Sequence, residues 1–488
     1  MNSPQSPTPT FNRRRFLASS AGLAAATFIG PNLLLRGQNA AGKRLNIAVI
    51  GALGKGQSDT RSVEKEHNIV ALVDVDSGRL DSAAQAHLKE AQKSNPSAKA
   101  PRLYADFRKM LDEMASDIDA VIVSTPDHTH FVAAMWALKH KKHVCVQKPM
   151  CNTIWEVREL HKTAKAAGVV TQMGNQGRTS EGHRLAKEWI EQGVIGTLKE
   201  VRLWTNRPIW PQGPLNKKTV PCPSNLNWDL WLSSEVDEPY FEFEAPEGQS
   251  DRTKKAGRRG NAVHPFNWRG WWQFGSGALG DMGCHIMDAA FNVLGQRVPE
   301  KIEVASSPVT DLVAPVWSSL VYHFAASGKF PALKVSWNDG VKDGQPNKPE
   351  RDDRVPKEDY DKNSSGMMFI GSEGVIFADT YCFRPVVYPE NRDDDVRTAM
   401  SEGKIKKTEP RSPHPNNPHL EWASCIVNGG KPSSNFDYAA PLSEFVSLGN
   451  LAIRSGQTIQ WDAANMKVTN VAEANRFIKR PAYRKGWL

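Results

Sequence analysis

Asn46-Ile47-Ala48-Val49-Ile50-Gly51-Ala52-Leu53-Gly54-Lys55-Gly56 is the stretch that decides the fold. An apolar run passes directly into a glycine-rich turn, and the polar residues after it suit the start of a helix. In the fingerprint G-x-G-x-x-G, glycine permits a tight turn and lets the backbone approach a pyrophosphate at a helix N-terminus. Gly51 and Gly56 match its first and last positions, while Leu53 stands at the middle one and Gly54 beside it offers the missing backbone freedom. A plain strand–helix turn would read the same way in isolation, so the flanking pattern has to decide.

Outward from this turn, short apolar runs at 46–50, 69–73, 120–124, 143–146 and 169–173 alternate with helical stretches at 82–92, 131–139 and 154–166. Strands alternating with helices imply a parallel sheet covered on both faces, a doubly wound α/β Rossmann domain over residues 43–175. The second run ends at Asp74, where the fingerprint wants a carboxylate about 20 residues on to accept from ribose hydroxyls. That charge would repel a 2′-phosphate, so the reading favours NAD over NADP. Asp76 is an alternative acid that equally suits an N-cap.

The chain has 488 residues and a net charge of +9, four charges of which come from Arg13, Arg14, Arg15 and Arg36. With 40% hydrophobic residues and 36 glycines it is of ordinary globular composition, which excludes collagenous, disordered and coiled-coil classes. Six cysteines without a CxxC pair exclude a disulfide scaffold and argue against structural zinc. The basic cluster Lys254-Lys255-Ala256-Gly257-Arg258-Arg259 reads as a solvated loop, so nucleic acid is set aside as a partner. At the N-terminus, Asn12-Arg13-Arg14-Arg15-Phe16-Leu17 precedes a soft apolar run rich in Ala, Gly and Ser. Residues 1–40 resemble a twin-arginine signal peptide, which predicts export of the folded protein to the periplasm through the twin-arginine machinery. The run is interrupted by Pro31 and too weakly apolar to predict stable membrane insertion after processing.

Three further strings carry a family resemblance: Ser124-Thr125-Pro126-Asp127-His128-Thr129-His130, Gln147-Lys148-Pro149, and Gly277-Ala278-Leu279-Gly280-Asp281-Met282-Gly283-Cys284-His285. In this order, after the glycine-rich start, they resemble the Gfo/Idh/MocA oxidoreductases, relatives of glucose–fructose oxidoreductase and inositol dehydrogenase. Thr125, Pro126 and His130 match that family's TP-x-x-x-H segment, and Lys148 and Pro149 match its Glu-Lys-Pro motif, with Gln147 in place of Glu. The resemblance implies that Thr125, Pro126, His130, Gln147 and Lys148 join Gly51, Leu53, Gly54, Gly56 and Asp74 around the cofactor. His130, rather than His128, is expected at the nicotinamide pocket. It also implies His285 as general base, Asp281 as the carboxylate that orients it, and Lys148 as the ammonium that stabilises a developing alkoxide. At i and i+4 of a helix, Asp281 and His285 share a face. Read bare, Asp281 is also a good N-cap and His285 an ordinary packing residue. Asp281, His285 and Asp288 could instead ligate a metal, but no further ligands cluster with them, so no metal is expected.

From residue 196 the pattern is mostly strands, for example 199–205, 301–306, 318–325, 332–337 and 374–378. Residues 176–488 are therefore expected to form an α+β domain with a large, mostly antiparallel sheet, its helices at 418–455 returning the chain to the core. By resemblance this is the substrate-binding and oligomerisation domain, so a homo-oligomer is expected. Seven of the 15 tryptophans (Trp204, Trp210, Trp228, Trp231, Trp268, Trp271 and Trp272) fall in a narrow window. Flat indoles suit sugar faces, although most should pack a core. Trp210, Arg207 and Asn175 are the expected substrate contacts. The stretch 206–267 is expected to shape a pocket, and 338–365 to be little more than a surface excursion. Function is thus expected to be NAD-dependent oxidation of a sugar, polyol or glycoside hydroxyl with tightly bound NAD(H). A glycoside hydrolase using transient oxidation and elimination is the alternative, followed by a non-catalytic carbohydrate-binding protein.

Overall fold

The computed structural model describes residues 44–244, 260–328 and 330–488; the arginine-bearing leader and the basic cluster at 254–259 lie outside the described residues. Six strands, β1 (Asn46–Ile50), β2 (Asn68–Val73), β3 (Arg102–Tyr104), β4 (Ala120–Val123), β5 (His143–Val146) and β6 (Thr171–Met173), pair in the order β3-β2-β1-β4-β5-β6. Every pairing is parallel. The crossovers are α1 (Lys55–Val63), α2 (Ser77–Ser94), α3 (Phe107–Met114), α4 (Asp127–Lys139) and α5 (Ile154–Ala167). Strand β4 is buried at every residue, which is why it reads as an unbroken apolar run rather than an alternating one. The sequence pattern misses β3, a short edge strand with Arg102 and Leu103 exposed, because its residues show no period.

Local chemistry sets the helix ends. Asp76 caps α2 by accepting from the Arg79 amide at 3.1 Å, so its capping role is the one it takes. Thr153 and Glu156 form a capping box at the start of α5, and Gly168 ends that helix at φ 67°.

The second sheet has ten strands: β7 (Leu198–Thr205), β10 (Lys301–Ser306), β11 (Trp317–Phe324), β12 (Leu333–Lys342), β13 (Gln345–Pro346), β14 (Gly366–Gly371), β15 (Val375–Asp379), β16 (Val386–Tyr388), β17 (Ile459–Asp462) and β18 (Lys467–Val468). All its pairings are antiparallel except β7 with β12, so the sheet is mixed and mostly antiparallel. A separate hairpin, β8 (Asn216–Thr219) with β9 (Phe241–Glu244), packs with α7 (Trp228–Leu232) around its own apolar cluster of Trp231, Phe241, Phe243, Trp271 and Phe274. The stretch expected as a surface excursion is more than that. Val355 is fully buried and Tyr360 packs on Trp204, so part of 338–365 closes one end of the sheet.

Helices α6 (Glu181–Glu191), α8 (Gly277–Val293) and, far along the chain, α12 (Phe436–Ser455) contribute to the core that both sheets share. Helix α11 (Pro418–Asn428) covers the other face of the first sheet, and α9 (Lys357–Lys362) and α10 (Asn391–Ser401) flank the second sheet. Helix α11 seats Trp422 and Ala423 in the core of the first domain, and the Trp422 indole donates to the Val170 carbonyl at 3.2 Å. Among the described residues no helix is long and apolar enough to cross a membrane.

Candidate active site

The carboxyl ends of β1 and β4, where the strand order reverses, open into a cleft of about 770 Å³. Its inner wall is the glycine turn. Gly51 has φ 86°, and a Cβ there would lie 2.6 Å from the Ser124 carbonyl oxygen; a Cβ on Gly56 would lie 1.6 Å from the Gly51 oxygen. Gly54, at φ 74°, takes the left-handed conformation in place of Leu53, which packs partly against the core behind. No side chain caps α1 and no acid occupies its first turn, so its leading amides face the cleft as an anion seat. Asp74 accepts from the Ala52 and Asp76 amides, both at 3.1 Å, and burial raises its pKa. Gly51, Leu53, Gly54, Asp74, Thr125, Pro126, Gln147 and Lys148 all line the cleft.

Gln147 explains its own departure from Glu. Its Nε2 donates to the buried carboxylate of Asp59 at 2.9 Å, which also accepts from the Ser124 hydroxyl at 2.7 Å and pairs with Lys55. A glutamate would set two carboxylates face to face; the amide turns the contact into a hydrogen bond. The Gln147 Oε1 atom is buried at the cleft floor without a protein partner among the described residues. With the glycine cradle, that orphaned acceptor fits a cofactor bearing pyrophosphate and an amide or hydroxyl donor.

His285 and Lys148 meet on the same cleft, but Asp281 serves the lysine rather than the histidine. Lys148 Nζ donates to the Asp281 carbonyl and, at 3.1 Å, to its Oδ1, which also accepts from Arg269 Nε at 3.2 Å. Burial alone would raise the Asp281 pKa; Lys148 and Arg269 override it and hold the carboxyl well below its usual range. The expectation that Asp281 orients His285 is therefore corrected. The orienting group is Asn175, whose Oδ1 lies 3.1 Å from His285 Nδ1 and whose Nδ2 donates to Asp288 at 2.6 Å. Tyr438 donates its hydroxyl to the other Asp288 oxygen. Asp288 is fully buried, and desolvation raises its pKa to about 6 against the pull of Arg178 and Tyr438. Since an amide oxygen can only accept, His285 carries its proton on Nδ1, and Nε2 is the basic nitrogen. Burial first, then the Lys148 charge, lowers the His285 pKa well below its ordinary value, so the ring is neutral.

Two further expectations are corrected. Asn175 is fully buried with both amide atoms engaged, so it positions the base and does not reach substrate. His130 is 1% exposed, its ring nitrogens 2.8 Å from the Pro149 carbonyl and 2.9 Å from that of Thr125. It braces the two motif loops against each other behind the pocket. Asp281 and Asp288 face different partners, so they and His285 do not converge on a metal position.

Arg207 and Trp210 line the cleft, with Trp231, Trp268 and Tyr381. Tyr381 packs edge-on against His285, ring centroids 5.0 Å apart. Most other tryptophans are core: Trp204 and Trp271 are fully buried. Sequence reasoning missed Asp59, Arg269 and Tyr381. Of these only Asp59 was within reach, one helical turn after Lys55 on the fingerprint helix.

Two family models match the chain in succession: the oxidoreductase family's NAD-binding Rossmann fold over residues 45–175 and its C-terminal alpha/beta domain over 186–330. The chain belongs to the Gfo/Idh/MocA oxidoreductase family. Within this family it is similar to the levoglucosan dehydrogenase of Pseudarthrobacter phenanthrenivorans, 25% identical over 192 residues, 39% of this chain and 36% of that protein. The match thus spans little more than a third of that relative's length. Its fold resembles that of the WlbA dehydrogenase from Bordetella pertussis, solved with NADH and UDP-GlcNAcA (TM-score 0.53, 14% identity, 86% of this chain and 99% of that one). It also resembles the aldose-aldose oxidoreductase from Caulobacter crescentus (TM-score 0.52, 16% identity, 86% and 100% covered).

Proposed function

We propose that this family member is an NAD-dependent oxidoreductase acting on a sugar hydroxyl, with its cofactor tightly held. The observation that carries the reading is the neutral His285, its Nδ1 proton committed to Asn175 and its basic Nε2 on the same cleft as the Lys148 ammonium. Gly51, Gly54 and Gly56 would cradle the pyrophosphate, Asp74 the adenosine ribose, and Gln147 Oε1 the nicotinamide end. When bound, NAD supplies the hydride acceptor. His285 takes the hydroxyl proton, and Lys148, fixed by Asp281, stabilises the negative charge that develops on the oxygen. Asp74 at the ribose position favours NAD over NADP.

Tight retention fits a twin-arginine route, because free nicotinamide cofactor is scarce outside the cytoplasm and a folded protein can carry its own. Export of this chain is thus part of the proposal. It is tested by replacing Arg13 to Arg15 with lysine and following the protein into the periplasm. Assembly as a homo-oligomer is checked by light scattering.

The deciding experiment denatures the purified protein and assays the released cofactor by mass. About one NAD(H) per chain supports the reading, and hydride exchange between that cofactor and a sugar panel then completes it. A protein that is empty and binds no added NAD overturns it in favour of a binding function.

A further inference from the structure

Lys148, Arg207 and Arg269 all line the cleft that holds His285. One ionised carboxylate, Asp281, is shared by two of these cations, accepting from Lys148 at 3.1 Å and from Arg269 at 3.2 Å. Arg269 is further occupied by the Phe266 carbonyl at 3.0 Å and lies over the Phe266 and Trp268 rings. Arg207 is different. Its guanidinium donates to the Asn206 side chain at 2.6 Å, and among the described residues it has no carboxylate partner. It lines the same cleft as His285 and Tyr381, and its charge bears on Asp281, the carboxylate that Lys148 and Arg269 hold.

A second acid among the described residues lining the cleft is Asp127, buried at the first turn of α4 and accepting from the Ser276 hydroxyl at 2.8 Å. Burial raises its pKa to about 7, which keeps it from cancelling the surplus. Even with Asp127 ionised, three cations face two anions. A guanidinium with spare N–H groups can donate to a hydroxyl, but it is best matched to a planar anion, which it meets with two parallel, charge-assisted hydrogen bonds. Trp210 is 3% exposed and has its indole N–H given to Gln212 at 2.7 Å, so it offers the cleft no hydrogen-bond donor.

We propose that the substrate is an anionic sugar of the uronic-acid class, with its carboxylate on Arg207. The proposal rests on the reading of this cleft as a cofactor and sugar site, and it narrows that reading from sugars in general to acidic ones. Lys148 and Arg269 remain with Asp281 and the reacting hydroxyl, while Arg207 selects.

The test is calorimetric titration of the protein as purified with methyl glycosides of glucuronate, galacturonate and mannuronate. Each is set against the neutral glycoside of the same ring, and against glucose 6-sulfate. At least one acid should bind about tenfold or more tighter than its neutral partner, the yield of one charge-assisted contact. That preference should shrink as salt is raised. Arg207→Gln should collapse the ratio and Arg207→Lys keep part of it, with cofactor content by mass unchanged as the check on folding. Equal binding of acid and neutral sugars, binding of none of the acids, or a preference that survives Arg207→Gln overturns the proposal. Tighter binding of the sulfate than of every carboxylate also overturns it. Because affinity is read apart from turnover, failure of the oxidoreductase reading shows separately, as absent cofactor and no hydride exchange.

Discussion

His285 owes its basic nitrogen to Asn175, which neither its own helix nor the motif around it supplies. Asn175 takes the Nδ1 proton, and the buried Asp288 keeps the amide turned so that its oxygen faces the ring. His285→Ala should lower turnover by about 10²–10⁴-fold with NAD(H) content unchanged. Asn175→Ala should reduce kcat more than KM, since it frees the wrong tautomer without touching substrate. Equal loss in both would instead place Asn175 in substrate binding. Gln147→Glu tests the glycine-turn side. It sets a second carboxyl 2.9 Å from Asp59 and leaves one of the pair with a raised pKa. Below that raised value the pair carries one charge and packs much as the parent does; above it both ionise and repel. Stability and NAD retention of this variant should therefore fall as pH rises, by about 1–3 kcal/mol for a buried mismatch, read as a pH-dependent melting temperature. A variant as stable as the parent at high pH would contradict the account.

Helix α8 carries Asp281 and His285 to the cleft only because the rest of it is swallowed by the core. Every residue of Gly277–Val293 except Asp281 is buried, so the helix lacks the polar face of a surface helix and packs directly on α12. That contact depends on glycine. A Cβ on Gly449 would lie 2.1 Å from the Tyr322 hydroxyl and 2.5 Å from a Leu279 methyl. Gly449→Ala should cost about 1–3 kcal/mol by overpacking, measured as a lower denaturant midpoint at constant m-value. An unchanged midpoint would mean that Tyr322 and Leu279 move aside freely. Helix α11 holds the other domain in the same way: the fully buried Trp422, truncated to alanine, should cost about 3–5 kcal/mol.

Across the whole molecule, the two sheets are tied by the last residues of the chain. Arg480 and Tyr483 bond Glu156 on α5 at 2.7 and 2.9 Å, and the Trp487 carbonyl accepts from the Trp136 indole at 3.0 Å. The Trp487 ring lies under Arg108 at 3.8 Å and beside Phe107 at 5.8 Å, lining the cleft near Asp74. Removing residues 486–488 should speed NAD release about tenfold, since affinity in related complexes is tuned mainly through the off-rate, while circular dichroism stays unchanged. An unchanged release rate would confine the tail to bracing the domains.

The parallel sheet and its cofactor loop were legible in the sequence because they are local: apolar runs report burial, and Gly51, Gly56 and Asp74 follow one another along a single strand–turn–helix unit. Lys148 and His285 were legible through spacing shared with a family. The partners were not. Asp281 and His285 share a helical face, yet Lys148 and Arg269 claim the carboxylate, and Asn175, from the end of β6, claims the imidazole. His130 stands in a motif and still turns into the protein, between two carbonyls. A side chain's type and register are written in the chain, and they fix which contacts it is able to make. Which of those it makes depends on groups from other elements, Lys148 and Asn175 each more than a hundred residues from the side chain they meet, and only packing brings them within hydrogen-bond range.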